Sequence, residues 1–342
     1  MTLRYEIRAA SLADHDDLLT LAGYLDSVNL PNDSEAIRDL CDGSERSFSG
    51  ATRDARRREY IFVLRDLDQG HAVGTSMVIG QLGRRDAPYI YVDVLTEEKY
   101  SATLDKHFVH KVLSIGYSYK GPTEIGGLVM HPAHRRSPDR LGMLISYVRF
   151  LFIRMHRADM QDELLAELLP PLESDGTSHL WEAIGRHFCD MSYREADRLS
   201  KKNKEFIKGL WPDGDIYASL LSPQAQDVIG KVGPQTKGVE KLLRRIGFRY
   251  AERIDPFDGG PHFEAVTDEV LLVQRSLRAP VRIGSPGGKQ RALVAAEYRE
   301  APWFVAVPVA CDIVGATATI DAHAAAHLRV NDGVDVWVLP LE

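Results

Sequence analysis

The feature that most constrains this chain is the stretch from residue 124 to 155, which reads EIGGLVMHPAHRRSPDRLGMLISYVRFLFIRM. A short apolar run that Pro132 stops is typical of an inner strand, and the long apolar run after Gly142 indicates a core helix. The loop between them is basic and carries His134, Arg135, Arg136 and Arg140. Backbone N–H groups, the positive end of the helix and the arginines would all meet at this loop. The stretch therefore predicts a site for an anionic nucleotide or coenzyme.

Composition excludes several other classes of protein. With 342 residues, 44% of them hydrophobic, the chain predicts more than one domain and a sizeable core. A net charge of −7 gives no global basic field, so a nucleic-acid partner is not expected. The charged N-terminus argues against a signal peptide, and no apolar run reaches the roughly 18 residues of a membrane span.

The three cysteines are distant in sequence and lack C-x-x-C spacing: Cys41, Cys189 and Cys311. Their number and spacing argue against a disulfide framework and a zinc site, and favour a reducing cytoplasm. Two histidine pairs have helical spacing, His107 with His110 and His323 with His327. Neither pair has an evident further ligand, so no metal site is predicted and structural roles are expected.

The remaining elements follow in a recognisable order. Residues 4–8 alternate like a strand, and a helix that Ser11 or Asp14 caps follows them. Two apolar strands joined by a turn at 68–70 come next. Far beyond the central stretch, a helix that Gly247 stops leads into a strand, and from about residue 276 short apolar runs have the texture of a small closed barrel.

Taken in order, these segments resemble the GNAT acyltransferases. The opening strand and helix, the hairpin, the loop whose arginines and Gly142 resemble a pyrophosphate-binding motif, and the closing helix–glycine–strand all have counterparts there. The resemblance implies an α/β fold of GNAT type, with a mixed central sheet flanked by helices, a helical insertion and a small C-terminal β-barrel-like unit. We expect an N-terminal half with the acyl-CoA loop at 1–160, the insertion and closing half at 161–275, and the β unit at 276–342.

A more specific resemblance covers nearly the whole chain. The collinear stretches YIFVLRD, TEIGGLVMHP, WEAIGRHFCDMSYREAD and IDPFDGGPHFEA resemble the arginine N-succinyltransferases of bacterial arginine catabolism. That family implies transfer of a succinyl group from succinyl-CoA, a co-substrate, to the α-amino group of L-arginine. It also implies a cytoplasmic homo- or hetero-oligomer without a permanently bound cofactor, a metal or a membrane partner.

The same resemblance assigns candidate binding residues. Contacts to acyl-CoA are expected from Leu128, Val129, Met130, Arg135, Arg136 and Gly142. A guanidinium group is bound best by carboxylates. The candidates for the arginine substrate are therefore the acidic residues of the glycine-rich signature: Asp255, Asp258 and Glu264. A turn around Gly259 and Gly260 explains the same pattern.

The family's catalytic histidine is missing. Its motif I-G-x-V-H-x-x-T is IGKVGPQT at residues 229–236, so Gly233 stands where the family has its proton donor. Glu124 and His131 are substitutes, although Glu124 could instead pair with an arginine and His131 could cap the strand end. Two alternatives to an arginine succinyltransferase remain open. The chain is then either a catalytically silent partner subunit or CoA-binding regulator, or an acyltransferase for another amine such as ornithine.

Overall fold

The structure is a computed structural model that describes residues 3–24, 29–84, 87–173, 175–288 and 290–341, with positions 201 and 202 as backbone only. Its strands are β1 (Tyr5–Ala9), β2 (Glu59–Asp66), β3 (His71–Ile79), β4 (Tyr89–Ser101), β5 (Lys106–Ser118), β6 (Thr123–Met130), β7 (Glu163–Glu167), β8 (Ile216–Tyr217), β9 (Arg249–Ile254), β10 (Pro261–Val266), β11 (Leu277–Ile283), β12 (Arg291–Glu297), β13 (Phe304–Ala310), β14 (Asp312–Val314), β15 (Thr317–Ile320) and β16 (Asp335–Leu341).

The α-helices are α1 (His15–Ala22), α2 (Ser34–Phe48), α3 (Leu141–Met155), α4 (His179–Ala183), α5 (Gly185–Cys189), α6 (Tyr193–Lys202), α7 (Glu205–Leu210), α8 (Pro223–Val228), α9 (Lys237–Arg245), α10 (Leu271–Arg275) and α11 (Ala322–His327). Short 3₁₀ turns join several of them. Within the described residues, no helix is long and apolar enough to cross a membrane.

The chain divides into two compact units. Unit 1 comprises residues 1–80, 123–162 and 267–342, and unit 2 comprises residues 81–122 and 163–266. The chain thus leaves unit 1 twice and returns twice. The domain boundaries that the sequence predicts near residues 160 and 275 stay a prediction. Whether residues 276–342 fold as a domain of their own stays a prediction.

The described strands of unit 1 form a mixed sheet in the order β14-β15-β11-β16-β12-β13-β1-β2-β3-β6. Most neighbours are antiparallel, whereas β11 and β15 are parallel. Helix α3 is apolar on nearly all sides and is almost completely buried, as the sequence predicts for a core helix. Its Phe152 packs among Phe62, Phe304 and Tyr60, so aromatic rings form much of the core around this helix.

The closed β-barrel-like unit expected at the C-terminus is not confirmed, because the sheet is open. Strand β16 pairs with both β11 and β12, and β13 pairs with β1 through Ala306 and Ile7. The C-terminal strands therefore extend the sheet of unit 1 instead of closing on themselves. They still enclose an apolar core of small side chains, among them Val281, Val294 and Val336.

The described strands of unit 2 form an antiparallel sheet in the order β7-β10-β9-β4-β5-β8. Helices α4 to α9 belong to this unit and include the helical insertion that the sequence predicts. Its core contains Trp181, which stacks on Phe257 with ring centroids 5.3 Å apart. The indole of Trp181 also donates to the Met191 carbonyl oxygen, which satisfies its polar atom.

Candidate active site

The predicted strand of the central stretch is β6, and it contains a bulge at its two glycines. Gly127 has φ +56°. On one side of it Gly126 pairs with Met77 of β3, and the next paired residue of β6 is Val129, opposite Thr75. Gly127 and Leu128 therefore have no register partner on β3, and the regular ladder is interrupted there. The side chain of Val129 is buried in the core, Met130 is nearly buried, and Leu128 is half-buried. Of the three predicted acyl-CoA contacts on β6, Leu128 thus exposes the most.

The basic loop and the start of α3 follow this strand. Arg135 is exposed and donates from Nε to the Met130 carbonyl oxygen at 3.1 Å. Arg136 is exposed as well. Helix α3 begins at Leu141, and its first turn carries no acidic residue. The first N–H groups of a helix have no acceptor within it. Such an end attracts anions, as the sequence predicts around Gly142.

The two sequence-based candidates for a base are both held in structural contacts. Glu124 is 4% exposed and accepts from Asn29 Nδ2 at 2.6 Å. His131 lies 3.0 Å from the Tyr24 hydroxyl through Nε2, and its Nδ1 accepts from the Ala133 N–H, so it caps the 3₁₀ turn that follows. Both ring nitrogens of His131 are therefore occupied.

Sequence reasoning missed Arg149, which braces the bulge from inside unit 1. Its guanidinium is 2% exposed, donates to the Ser146 carbonyl and hydroxyl oxygens, and reaches the Gly126 carbonyl oxygen at 3.4 Å. Burial lowers the pKa of Arg149 to about 9, because a charged form is costly away from water. A single arginine inside an apolar helix was the signal that could have revealed it.

In unit 2, two of the three predicted acceptor residues lie together. Asp255 and Asp258 follow β9 in the turn that leads to β10, and they are joined there by Glu167 of β7 and His262 of β10. Oxygen and nitrogen atoms of Glu167, Asp255 and His262 all lie within 4.8 Å of one another. We call Glu167, Asp255, Asp258 and His262 the acidic cluster. Such a group of oxygen and nitrogen ligands suits a cation, either a metal ion or an organic ammonium or guanidinium group.

Hydrogen bonds distinguish the members of the acidic cluster. Asp255 Oδ1 accepts from the Phe257 and Asp258 N–H groups, and Asp258 Oδ1 accepts from the Gly260 N–H. His262 is fully buried; the Tyr89 hydroxyl lies 2.7 Å from its Nδ1, while its Nε2 has no hydrogen-bond partner among the described residues. Glu167 Oε1 lies 3.6 Å from that nitrogen.

Burial sets the charges of the cluster. Desolvation raises the pKa of Asp255 to about 6 and raises the pKa of Asp258 well above its usual range, and neighbouring carboxylates add to both shifts. The pKa of Glu167 is also raised by desolvation. The pKa of His262 falls to about 4 because burial disfavours the charged imidazolium. At neutral pH the histidine is therefore neutral, and the cluster carries excess negative charge.

The third predicted acceptor residue, Glu264, lies outside this group. Arg253 donates to Glu264 at 3.1 Å and to Asp93 at 2.9 Å, and its guanidinium packs over the Tyr91 ring. Glu264 thus already has a cationic partner.

Gly233 is packed too tightly to have a side chain. Its N–H donates to the Leu169 carbonyl oxygen at 2.8 Å. A Cβ atom at this position would lie 2.5 Å from the Pro170 carbonyl oxygen, which belongs to the backbone and cannot rotate away. Gly233, the position where the resemblance predicts a histidine, is therefore part of a close approach between two backbone segments.

The chain is similar to known proteins along most of its length. A family model described as the arginine N-succinyltransferase beta subunit matches residues 5–272. The arginine N-succinyltransferase subunit beta of Pseudomonas aeruginosa is 33% identical over 341 residues, which cover 98% of each chain. The chain belongs to the arginine N-succinyltransferase family. The arginine N-succinyltransferase of an Enterobacter species is 33% identical over 283 residues, 82% of this chain and 81% of that one.

A solved structure gives the same result for the fold of this arginine N-succinyltransferase family member. Subunit AI of the arginine/ornithine succinyltransferase from Pseudomonas aeruginosa superposes with a TM-score of 0.84 at 29% identity, and the match covers 99% of each chain. The fold of this chain is thus similar to that of a succinyltransferase subunit along its whole length. Sequence reasoning missed Glu167 and His262. His262 lies within IDPFDGGPHFEA, one of the stretches that resemble the family, so it was the available signal.

Proposed function

We propose that this protein transfers the succinyl group of succinyl-CoA to the α-amino group of L-arginine. Membership of the family supports the reaction type, and the observation that carries the acceptor is the acidic cluster of unit 2. The cluster has excess negative charge, and within the described residues none of its carboxylates forms an ion pair with lysine or arginine. A cationic amino acid would supply the missing positive charge. We also propose that the mixed sheet with its flanking helices is of GNAT type.

The donor half of the reaction uses β6, the basic loop and α3 in this proposal. The pantetheine arm lies along the β6 bulge, where Gly127 and Leu128 have no register partner on β3. The pyrophosphate binds at the start of α3, where the helix dipole and Arg136 attract negative charge. Gly142 lies in the first turn of α3, where an added Cβ would lie 3.6 Å from Met130 Cγ. The role of this glycine would be to let the ligand approach the backbone closely.

The acceptor half belongs to the acidic cluster. Asp255 and Asp258 are fixed by backbone N–H groups, so their carboxylates are held in place before a ligand binds. Preorganised charges bind with less loss of side-chain entropy. They would hold the cationic groups of arginine, and Glu264 would act only through Arg253.

The chemistry requires a neutral amine, since an α-ammonium group has no lone pair for attack. Its reference pKa of about 7.7 to 8.0 leaves most of it protonated at neutral pH. After loss of one proton, the nitrogen attacks the thioester carbonyl carbon, the C–S bond breaks, and the thiolate takes up a proton as the amide forms. Orientation of the two substrates supplies much of the rate, and a positioned base adds roughly 10² to 10⁴.

Ornithine is a second acceptor, because the solved relative is named an arginine/ornithine succinyltransferase. Ornithine carries the same α-amino group and a shorter cationic side chain, which suits carboxylates but cannot bond them in the two-pronged manner of guanidinium. The names of the relatives include subunits, so we also propose assembly with further copies or with a related chain. Three free thiols, Cys41, Cys189 and Cys311, fit a reducing cytoplasm.

The test is thiol release from succinyl-CoA by the purified protein with a panel of acceptors. We expect turnover with L-arginine, lower turnover with L-ornithine, and none with Nα-acetyl-L-arginine, in which the attacking nitrogen is blocked. Agmatine, which lacks the carboxylate, measures how far the cationic side chain alone determines recognition. Release no faster than in buffer with every acceptor would contradict the proposal and favour a silent subunit.

A further inference from the structure

We propose that Glu167 removes the proton from the α-ammonium group of the acceptor and that His262 positions Glu167 from the protein side. This pair would fill the role that Gly233 leaves open. The inference rests on the proposed transfer to an amine, and it assigns the base that the family motif does not provide in this chain.

The first support is the unused nitrogen of His262. The residue is fully buried, yet its Nε2 has no hydrogen-bond partner among the described residues. Leaving such a buried polar atom unpaired is unfavourable. Its neighbour at 3.6 Å is Glu167 Oε1, and the Tyr89 hydroxyl at 2.7 Å holds the opposite ring nitrogen. The imidazole is thus fixed with one edge towards Glu167.

The second support is that Glu167 differs from the other carboxylates of the acidic cluster. Asp255 and Asp258 each accept backbone N–H groups, and the Tyr193 hydroxyl donates to Asp258 as well. Within the described residues the Glu167 carboxylate accepts no hydrogen bond, and its side chain is 35% exposed. It is therefore the most accessible member of the cluster and retains its lone pairs for a proton.

Desolvation makes Glu167 a stronger base than an isolated glutamate. Desolvation raises its pKa, and Lys204 acts in the opposite direction. Asp255 and Asp258 face the same space from the turn after β9, while Arg253 and Asp93 contribute at longer range to His262. A carboxylate with a raised pKa takes a proton from an ammonium more readily than an ordinary one. Neutral His262 adds no positive charge that would reverse this effect.

The third support is the position of the pair relative to Gly233. Glu167 ends β7, and the next residues run through Leu168 to Leu169, whose carbonyl oxygen accepts from the Gly233 N–H. His262 is the register partner of Glu167 on β10. The pair therefore lies beside the backbone against which Gly233 packs, so a histidine and a carboxylate remain close to the position that lost its histidine.

The protons balance in this scheme. One proton moves from the α-ammonium nitrogen to a Glu167 oxygen, which frees the nitrogen lone pair. That nitrogen forms a bond to the carbonyl carbon and the C–S bond breaks. The second proton of the amine neutralises the departing thiolate, and Glu167 returns its proton to solvent.

The test compares Glu167→Gln with Glu163→Gln, an exposed glutamate of the same strand β7. We expect Glu167→Gln to lower kcat/KM for L-arginine by roughly 10² to 10⁴-fold, whereas Glu163→Gln keeps the wild-type value. The rise of kcat/KM with pH should change its midpoint in Glu167→Gln alone. A Glu167→Gln variant as active as Glu163→Gln would overturn the assignment.

A second acceptor separates a base from a purely structural residue. L-Arginine methyl ester has a less basic α-amine because the neighbouring carboxylate is neutralised. If Glu167 is the base, the ratio of wild-type to Glu167→Gln activity is smaller with the ester than with L-arginine. An equal ratio with both acceptors contradicts a role in proton removal.

His262→Gln tests the positioning role, because glutamine can place an N–H near the position of Nε2, whereas His262→Leu cannot. We expect partial activity with glutamine and a larger loss with leucine, at equal thermal stability of the two variants. Retention of full activity by the leucine variant would contradict the role. A second result would also contradict the role. If the purified protein contained zinc or manganese and a chelator abolished its activity, the acidic cluster would be a metal site. An inactive wild type refutes the proposed function itself and is recognisable before any variant is made.

Discussion

At the scale of single residues, Gly233 is the most informative position. The family motif suggests that a histidine could simply be restored there. The structure argues otherwise, because a Cβ atom would lie 2.5 Å from the Pro170 carbonyl oxygen. The same backbone contact includes the hydrogen bond from the Gly233 N–H to Leu169. The chain has therefore closed the space that a side chain would need.

Gly233→Ala and Gly233→His are expected to destabilise the protein by about 1–3 kcal/mol, the usual cost of overpacking. Gly233→His should not raise the rate of succinyl transfer. The free energy of unfolding is measured with urea and the rate by thiol release. A histidine variant that is both as stable as wild type and faster would mean that the segment of Leu169 and Pro170 moves aside.

Stability should also depend on pH through His262. Its pKa falls from 6.5 to about 4 upon folding, so its contribution to stability is present above pH 6.5 and lost as the pH falls towards 4. Asp255 acts with the opposite sign, since its pKa rises from 3.8 to about 6. Its contribution is present below pH 3.8 and lost as the pH rises towards 6.

We therefore expect His262→Gln to lose less stability than wild type between pH 6.5 and 4, and Asp255→Asn to lose less than wild type as the pH rises from 4 to 6. Urea unfolding at intervals of half a pH unit measures both slopes. Parallel curves for wild type and His262→Gln would show that His262 titrates normally in the folded chain.

At the scale of elements, the bulge in β6 is the feature that prepares unit 1 for a ligand. It exists because Gly127 adopts φ +56°, which ordinary residues avoid. An added Cβ would also lie 3.0 Å from the Cγ and Sδ atoms of Met77. Arg149 then fixes the bulge by reaching the Gly126 carbonyl oxygen from α3.

Gly127→Ala should destabilise the protein by about 1–2 kcal/mol through its left-handed backbone and raise the KM for succinyl-CoA. Gly43→Ala is the matched control, since Gly43 lies inside α2 with no atom within 4 Å of an added Cβ. That change should stabilise the protein by about 0.5–1 kcal/mol without altering KM. Equal KM values for the two variants would separate the bulge from coenzyme binding.

The loop before α3 gives a prediction about affinity. Arg136 is exposed, so its contact with a phosphate is worth about 1 kcal/mol and Arg136→Ala should raise the KM for succinyl-CoA roughly fivefold. Added salt should reduce the difference. Arg46→Ala is the control, because Arg46 is exposed on α2 and pairs with Asp42 at 3.7 Å. A KM that rises equally in both variants would reflect net charge instead of a site.

At the scale of the whole molecule, what could be predicted from sequence is what short segments determine. The β6 strand, the basic loop and α3 follow from local patterns, as do β1 with α1, the β2–β3 hairpin, and α9 stopped by Gly247. Helix α2 escaped prediction because its buried face is only Ile37, Cys41 and two serines. The pair His107 and His110 lies on β5, where residues three apart point to opposite faces, so no helical spacing exists.

Features that join distant segments could not be predicted. Nothing in the apolar runs after residue 276 indicates that β13 pairs with β1 instead of closing a barrel. His327 likewise bonds Glu6 at 2.8 Å, a partner from the opposite end of the chain. The acidic cluster depends on the register of β7 and β10, which places His262 opposite Glu167. Register is set by packing and turn geometry, so a sequence could suggest Asp255 and Asp258 but not their neighbours.

The proposed succinyl transfer is tested by the mass spectrum of the product that the wild-type protein forms from succinyl-CoA and L-arginine. We expect arginine with one added succinyl group, and a fragmentation pattern that places this group on the α-nitrogen. A succinyl group on the guanidinium, or unmodified arginine together with intact succinyl-CoA, would contradict it.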